Sequence, residues 1–203
     1  MTQHHDLIWI DDLGLGHCPQ APADDFYGQA YWDEYVRRAN SALGELITQV
    51  RCETVRKFLR DSEPVLDIGI GCGQFIERRG PQTFGFDVNP LGVDWLAARG
   101  RLRDPRHGFP NMTFWDALEH IPDASRVIAA CERYVFVSMP IYRDEEHVRS
   151  SRHFKPGEHL WYFTEEGLVR WFFGLGFRLM ASHREETSLG REDIGTYTFC
   201  RFR

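Results

Sequence analysis

Cysteine is scarce in this chain: five residues among 203. Cys18, Cys52, Cys72, Cys131 and Cys200 are odd in number and far apart, with no C-x-x-C pair. That excludes a disulfide frame and a cysteine zinc site, and the thiols read as those of a reduced, cytoplasmic protein. Long apolar runs are missing too. Nothing approaches the roughly eighteen consecutive apolar residues of a spanning helix, and no basic N-terminal region leads into an apolar stretch. The expectation is a cytoplasmic protein that is neither exported nor membrane-bound. Nine histidines are present, but no two stand four apart on a clear helix with a glutamate between them. His147, His153 and His159 with Glu158 match no known zinc spacing, and no metal is assigned. Positive charge is not in excess either. The formal net charge is −6, and a generic nucleic-acid surface needs clustered Lys and Arg. Arg99, Arg101, Arg103, Arg106 and His107 lie close together and read either as a solvated loop or as a local basic patch. There is no internal repeat and no low-complexity tract.

What is present suffices for one globular domain with a substantial core, at 42% hydrophobic and 27% charged residues. Its most informative stretch runs from Val65 to Glu77, where an apolar strand ends in Asp67 and breaks into Gly69, Gly71 and Gly73 before helical periodicity resumes at Phe75 and Ile76. Glycines let backbone N–H groups approach a ligand, and the following helix start offers unpaired donors and a positive dipole end. A dinucleotide site expects G-x-G-x-x-G. Here the pattern is D-x-G-x-G-x-G. It resembles motif I of the class I S-adenosylmethionine-dependent methyltransferases, where the glycines make room for the methionine part of the cofactor.

A second short strand, Phe84 to Asp87, ends in a carboxylate about twenty residues after Asp67, where a βαβ unit places the acid that binds ribose hydroxyls. Asp87 is the candidate ribose ligand, and Val88 a candidate apolar face for adenine. Asp87 could also cap a helix starting near Pro90. Downstream, Asp116 to Asp123 resembles the D-x-LEH-x-P-D segment of many small-molecule methyltransferases, the ubiquinone-type O-methyltransferases among them. Tyr134 to Pro140 resembles their fifth strand, and His159 to Thr164 through Gly176-Phe177 their H-x-x-x-F-T and GF elements. These motifs, in order, cover residues 65 to 177.

The fold class expected is α/β, a Rossmann-like class I methyltransferase fold with a mostly parallel sheet of the seven-stranded type. Strands are expected near 65–68, 83–87, 112–116, 134–138, 177–182 and 196–201, the last two able to pair antiparallel. The third strand is expected to be short or missing, because residues 95–111 are rich in Arg, Gly and Pro; Asp104 is then the candidate for the adenine contact. Residues 1–60 form an N-terminal arm, irregular to about residue 25, and a helical cover. Residues 61–203 form the cofactor-binding core, in one domain overall. The resemblance implies that the N-terminal helices cover the cofactor and help to form the acceptor pocket.

Methyl transfer from a sulfonium is an in-line displacement, so the enzyme's main contribution is to position the acceptor. If the acceptor is a hydroxyl, a base contributes roughly 10²- to 10⁴-fold. His120 follows the fourth strand and titrates near neutrality, so it is the candidate base or a locally packed histidine. Glu119 could hold a substrate or cofactor amine, or be a solvated carboxylate. His159, with Trp161 and Tyr162, is the candidate lining of the acceptor pocket. By resemblance, Asp67 orders the glycine loop or reaches the methionine amine, and Asp116 borders the cofactor. Arg51, sixteen residues before Asp67, stands close to where ubiquinone-type enzymes place an arginine for the cofactor carboxylate, and Arg56 competes for that role. Tyr31, with Tyr27, Trp32 and Tyr35, either closes over the cofactor or is core. The charged segment Glu185 to Ile194 reads as a solvated hairpin loop.

The function implied is methyl transfer from S-adenosylmethionine, giving S-adenosylhomocysteine, to an oxygen or nitrogen of a small-molecule acceptor. A nucleic-acid base as acceptor and a non-catalytic S-adenosylmethionine-binding subunit are the alternatives.

Overall fold

The structure is a computed structural model that describes residues 7–19 and 27–202. In chain order the elements are β1 (Ile8–Ile10), β2 (Leu15–His17), α1 (Gln29–Ala39), α2 (Ala42–Arg56), β3 (Val65–Ile68), α3 (Gln74–Arg79), β4 (Thr83–Phe86) and α4 (Pro90–Ala98). There follow β5 (Phe109–Trp115), α5 (Ala124–Ala129), β6 (Cys131–Tyr142), α6 (Glu145–Ser150), β7 (Trp161–Thr164), α7 (Glu165–Gly174), β8 (Phe177–His183), α8 (Glu185–Ser188) and β9 (Ile194–Arg201).

Local chemistry starts several of the helices. Ser41 Oγ accepts from Gly44 N at the head of α2, and Thr164 Oγ1 accepts from Gly167 N at the head of α7. Asn89 caps α4 through Leu91 N, with Pro90 in the first turn. The central strands are buried on both faces: all four residues of β3 are inaccessible, as a strand flanked by helices requires. Leu66, Phe114, Val135, Val137 and Phe199 lie at the centre of the main core, where Phe172 stacks on Phe199 at 3.8 Å.

Strands β4, β3, β5 and β6 are neighbours in that order and parallel; β9 pairs antiparallel with β6 and with β8. This is the expected doubly wound sheet with an antiparallel hairpin at one end. The expected short third strand is a single parallel bridge: Gly85 N donates to Arg101 O and Arg103 N to Gly85 O, both at 3.0 Å, with Leu102 opposite Gly85. No helix among the described residues is long and apolar enough to cross a membrane.

The N-terminal arm departs from expectation. Ile8–Ile10 and Leu15–His17 are strands, and β2 pairs antiparallel with β7, itself parallel to Ile141 and Tyr142 at the end of β6. Three-residue strands are too short to show a period, so only their partner in the tertiary structure reveals them. Residues 1–6 and 20–26 of the arm lie outside the described residues. This small layer lashes the segment before β7 to the chain after β5. Leu160 N donates to Glu119 O at 2.7 Å, Trp161 Nε1 to Ile121 O at 2.8 Å, and Cys18 N to Leu160 O at 2.9 Å.

Candidate active site

At the carboxyl edge of the parallel strands, where ligands enter open α/β sheets, lies a cavity of about 570 Å³. One wall is the loop between β3 and α3. Gly69, Gly71 and Gly73 take φ of 75°, 57° and 82°, the left-handed region that strains any residue bearing a Cβ. At Gly71 a Cβ would also stand 2.7 Å from Tyr35 Cδ1. Gly71→Ala is therefore expected to lower stability by about 1–2 kcal/mol, read as a fall in the urea midpoint with an unchanged m-value. A neutral result would mean that the loop takes another conformation.

Two carboxyls organise this wall. Asp87 Oδ2 accepts from Ile70 N and Oδ1 from Asn89 N, each at 2.8 Å. The predicted ribose ligand thus also holds the glycine loop in shape, and the residue capping α4 is Asn89. Asp67 is 1% exposed and lines the cavity, with Oδ1 accepting from Thr113 Oγ1 at 2.7 Å. Burial pushes its carboxyl up to about 7, against the hydrogen bond from Thr113 and the charge of Arg51. A buried acid facing a cavity is a receptor for a cationic group.

Three predicted cofactor contacts are placed otherwise. Val88 is 66% exposed and, like Asp87 and Gly73, is not among the residues that line the cavity. Tyr35 lines it, whereas Tyr31 stands behind, its hydroxyl bonded to that of Tyr35 at 3.0 Å and its ring against Tyr27. Asp104 caps the turn at Pro105–His107 and pairs with Arg106, whose guanidinium holds its carboxyl down at about 2.

Arg51 is not the open fork expected of it. Its Nη2 donates to Asp116 Oδ2 at 2.6 Å, and its Nε to Glu186 Oε1 at 2.9 Å. Arg191 grips Asp116 from the other side, with two bonds of 2.9 Å, and also bonds Glu186. Arg56 pairs instead with Asp61. The predicted solvated loop at 185–194 thus contributes a glutamate with 0% exposure, which also accepts from Ser138 Oγ at 2.8 Å. Charge composition suggested exposure there; two guanidinium partners, Arg51 from distant α2 and Arg191 from the same segment, make burial tolerable. Burial alone would raise Asp116, but Arg191 and Arg51 outweigh it and hold its carboxyl well below the usual carboxylate range. Glu186 and Arg191 are the site residues that sequence reasoning missed; a Glu and an Arg inside a run of charges carry no local signal of burial.

Beside the glycine loop, whose Gly69 abuts Ala117, stand the three predicted catalytic residues. Glu119 and His120 lie in the 3-10 turn Leu118–His120 that follows β5, and His159 lies in the segment before β7; all three line the cavity. The rings of His120 and His159 meet edge to face at 4.7 Å. Glu119 is 1% and His159 4% exposed. Burial, and then the charge of Asp116, push Glu119 up to about 8, and burial, with His120 beside it, pushes His159 down to about 2. His120 Nδ1 lies 2.9 Å from Glu158 O. A carbonyl only accepts, so Nδ1 carries the proton and Nε2 the lone pair. Burial lowers the His120 imidazole despite the opposing charge of Glu158, which keeps it neutral near pH 7.

The arginines of the 99–107 segment are spent locally. Arg99 lies over Trp95 and pairs with Glu77, Arg101 donates to Ile76 O and Gly80 O, and Arg103 lies over Phe84.

Residues 33–182 match the family model described as a methyltransferase domain. No curated protein sequence matches the chain significantly. Among solved structures, magnesium protoporphyrin IX methyltransferase from Synechocystis PCC 6803, crystallised with S-adenosylhomocysteine, superposes with a TM-score of 0.62 at 12% identity, over 88% of this chain and 98% of that one. The same enzyme has been crystallised with S-adenosylmethionine. A possible histamine N-methyltransferase from Thermotoga maritima gives 0.58 at 13% identity, over 85% and 97% of the two chains. The [4+2]-cyclase SpnF gives 0.59 at 15%, over 90% and 97%. At these identities the structures establish the fold, and the family match covers most of the chain. The chain belongs to the methyltransferase-domain family, and it has the fold of S-adenosylmethionine-dependent methyltransferases.

Proposed function

We propose that this enzyme transfers the methyl group of S-adenosylmethionine to an oxygen or nitrogen of a small-molecule acceptor. The observation that carries this reading is one cavity with two unlike walls: the glycine loop with Asp67 forms one, and Glu119, His120 and His159 form the other. The first wall suits the cofactor. Its glycine backbone is open, Asp87 braces the loop, and Asp67 offers a buried carboxyl to the cationic amine. The cofactor supplies an electrophilic methyl on sulfur; the chain's own residues bind, orient and exclude water. On the second wall His120 Nε2 carries a lone pair, its Nδ1 proton being held by Glu158 O, and so is a receptor for the proton of a hydroxyl or amine. The local pairing of Arg99, Arg101 and Arg103 favours a small acceptor over a nucleic acid.

Calorimetric titration tests the first wall. S-adenosylmethionine is expected to bind saturably to the wild type and at least tenfold more weakly to Asp87→Ala, which loses charge-assisted bonds to the loop; NAD is expected to bind neither. Binding of NAD in place of S-adenosylmethionine would overturn the cofactor assignment. With cofactor bound, S-adenosylhomocysteine release is then followed across hydroxyl and amine acceptors. Turnover only with DNA or RNA, falling steeply with salt, would replace the small acceptor with a nucleic acid.

A further inference from the structure

Glu119, His120 and His159 each offer one ligand atom, and these atoms lie within 4.8 Å of one another. No spacing in the chain announces this trio: His159 comes thirty-nine residues after His120, and the two segments are joined by bonds from Leu160 N to Glu119 O, Trp161 Nε1 to Ile121 O and His120 Nδ1 to Glu158 O. The grouping is not a by-product of mutual hydrogen bonding. Glu119 Oε2 and His159 Nδ1 are buried with no hydrogen-bond partner among the described residues, on side chains whose residues are 1% and 4% exposed. An unsatisfied buried polar atom costs roughly 1–3 kcal/mol, so two such atoms on neighbouring side chains of the trio point to a missing partner. A single bridging water satisfies two such atoms, so the Co²⁺ titration below decides between water and ion. An ion satisfies both together with the third ligand.

The donor set has the chemistry of a divalent transition-metal site. Two imidazoles and a carboxylate are the three-protein-ligand pattern that leaves a position open for substrate. The supporting hydrogen bond is already in place: Glu158 O holds His120 Nδ1–H, which fixes the tautomer and leaves Nε2 as ligand, the usual arrangement of a metal-binding histidine. Lys155, the nearby cation, is paired with Glu158 at 3.2 Å. Metal bonds of about 2.0–2.2 Å bring ligand atoms to roughly 3–3.5 Å from one another, so side-chain movement of about 1 Å closes the site.

We propose that Glu119, His120 and His159 bind one divalent first-row transition-metal ion at the acceptor wall of the cavity, with its open position facing the methyl donor. The inference rests on the methyltransferase reading for its role and refines that of His120, from direct base to ligand. The ion would take the acceptor's hydroxyl oxygen and release its proton to water at neutral pH. An oxygen lone pair then forms the new O–CH3 bond while the S–CH3 bond breaks, its electron pair remaining on the sulfur of S-adenosylhomocysteine. An oxygen acceptor is thereby favoured over nitrogen.

The test is titration of chelator-treated full-length protein with Co²⁺, followed by its visible absorption, beside calorimetry of S-adenosylmethionine on the same wild-type preparation. One equivalent of Co²⁺ is expected to bind, to be displaced by Zn²⁺, and to lose at least a hundredfold in affinity in His159→Gln and in Glu119→Gln. Circular dichroism certifies that each variant is folded, and His120→Gln replaces one that is not. Binding that survives unchanged in folded variants, or no stoichiometric Co²⁺ on a wild type that binds S-adenosylmethionine, overturns the metal site and leaves the methyltransferase standing. Failure to bind S-adenosylmethionine would strike the methyltransferase reading itself.

Discussion

Glu186→Ala is expected to cost about 3–5 kcal/mol of stability, a large share of what a domain of this size possesses. Glu186 is fully buried and accepts from Arg51, Arg191 and Ser138. With Asp116 it neutralises two guanidinium groups whose side chains are 14% and 23% exposed. Its removal leaves two cations facing one carboxylate and strands the Ser138 hydroxyl. The loss is structural as well as electrostatic, because these bonds tie α2 and the end of β5 to the loop before β9. Urea unfolding measures it, and Glu186→Gln, which keeps the shape and part of the bonding, is expected to fall between wild type and alanine. A change below about 1 kcal/mol would mean that water reaches the cluster. The sign with pH follows from Asp116. Its carboxyl is held below its unfolded value near 4, so its contribution is present above about pH 4 and is lost as pH falls through the folded value. Acid unfolding of the wild type is therefore expected to begin below about pH 4.

The affinity for S-adenosylmethionine is expected to fall about fiftyfold between pH 7 and pH 5, and Asp67→Asn to be weak and flat over that range. Burial raises Asp67 to about 7, so at pH 5 the carboxyl must first lose its proton to receive a cation, at a cost of about tenfold per pH unit. Proton release on binding, measured by calorimetry in two buffers of different ionisation enthalpy, reports the same event. The free protein should show the complementary trend. A carboxyl raised in the folded state stabilises most below its unfolded value, and that contribution is lost as pH rises through about 7. Glu119, raised to about 8, acts with the same sign, so the slope in Asp67→Asn is reduced and not abolished. An affinity independent of pH in the wild type would place the cofactor amine away from Asp67.

Much of the sheet was legible because its signals are local. Val65 to Gly73 announces strand, acid and glycine turn within nine residues, and the left-handed φ of the three glycines is what the absence of a Cβ permits. The weakness of the third strand was equally readable from Arg, Gly and Pro in 95–111, and it survives only as the bridge at Leu102. The arm strands β1 and β2 were not legible, since three residues carry no period and their pairing partner, β7, lies more than a hundred residues away.

The same division runs through the candidate site. The sequence by itself determined the family, the α/β fold class and the glycine turn, and it singled out Glu119, His120 and His159 as candidates, because each rests on a short contiguous motif whose backbone conformation is set by its own residues. Only the tertiary structure decided that Arg51 and Asp116 are occupied by Glu186 and Arg191, and that two histidines and a glutamate converge on one point. Burial, charge compensation and ligand convergence depend on which distant segments share a volume, and no local pattern encodes that.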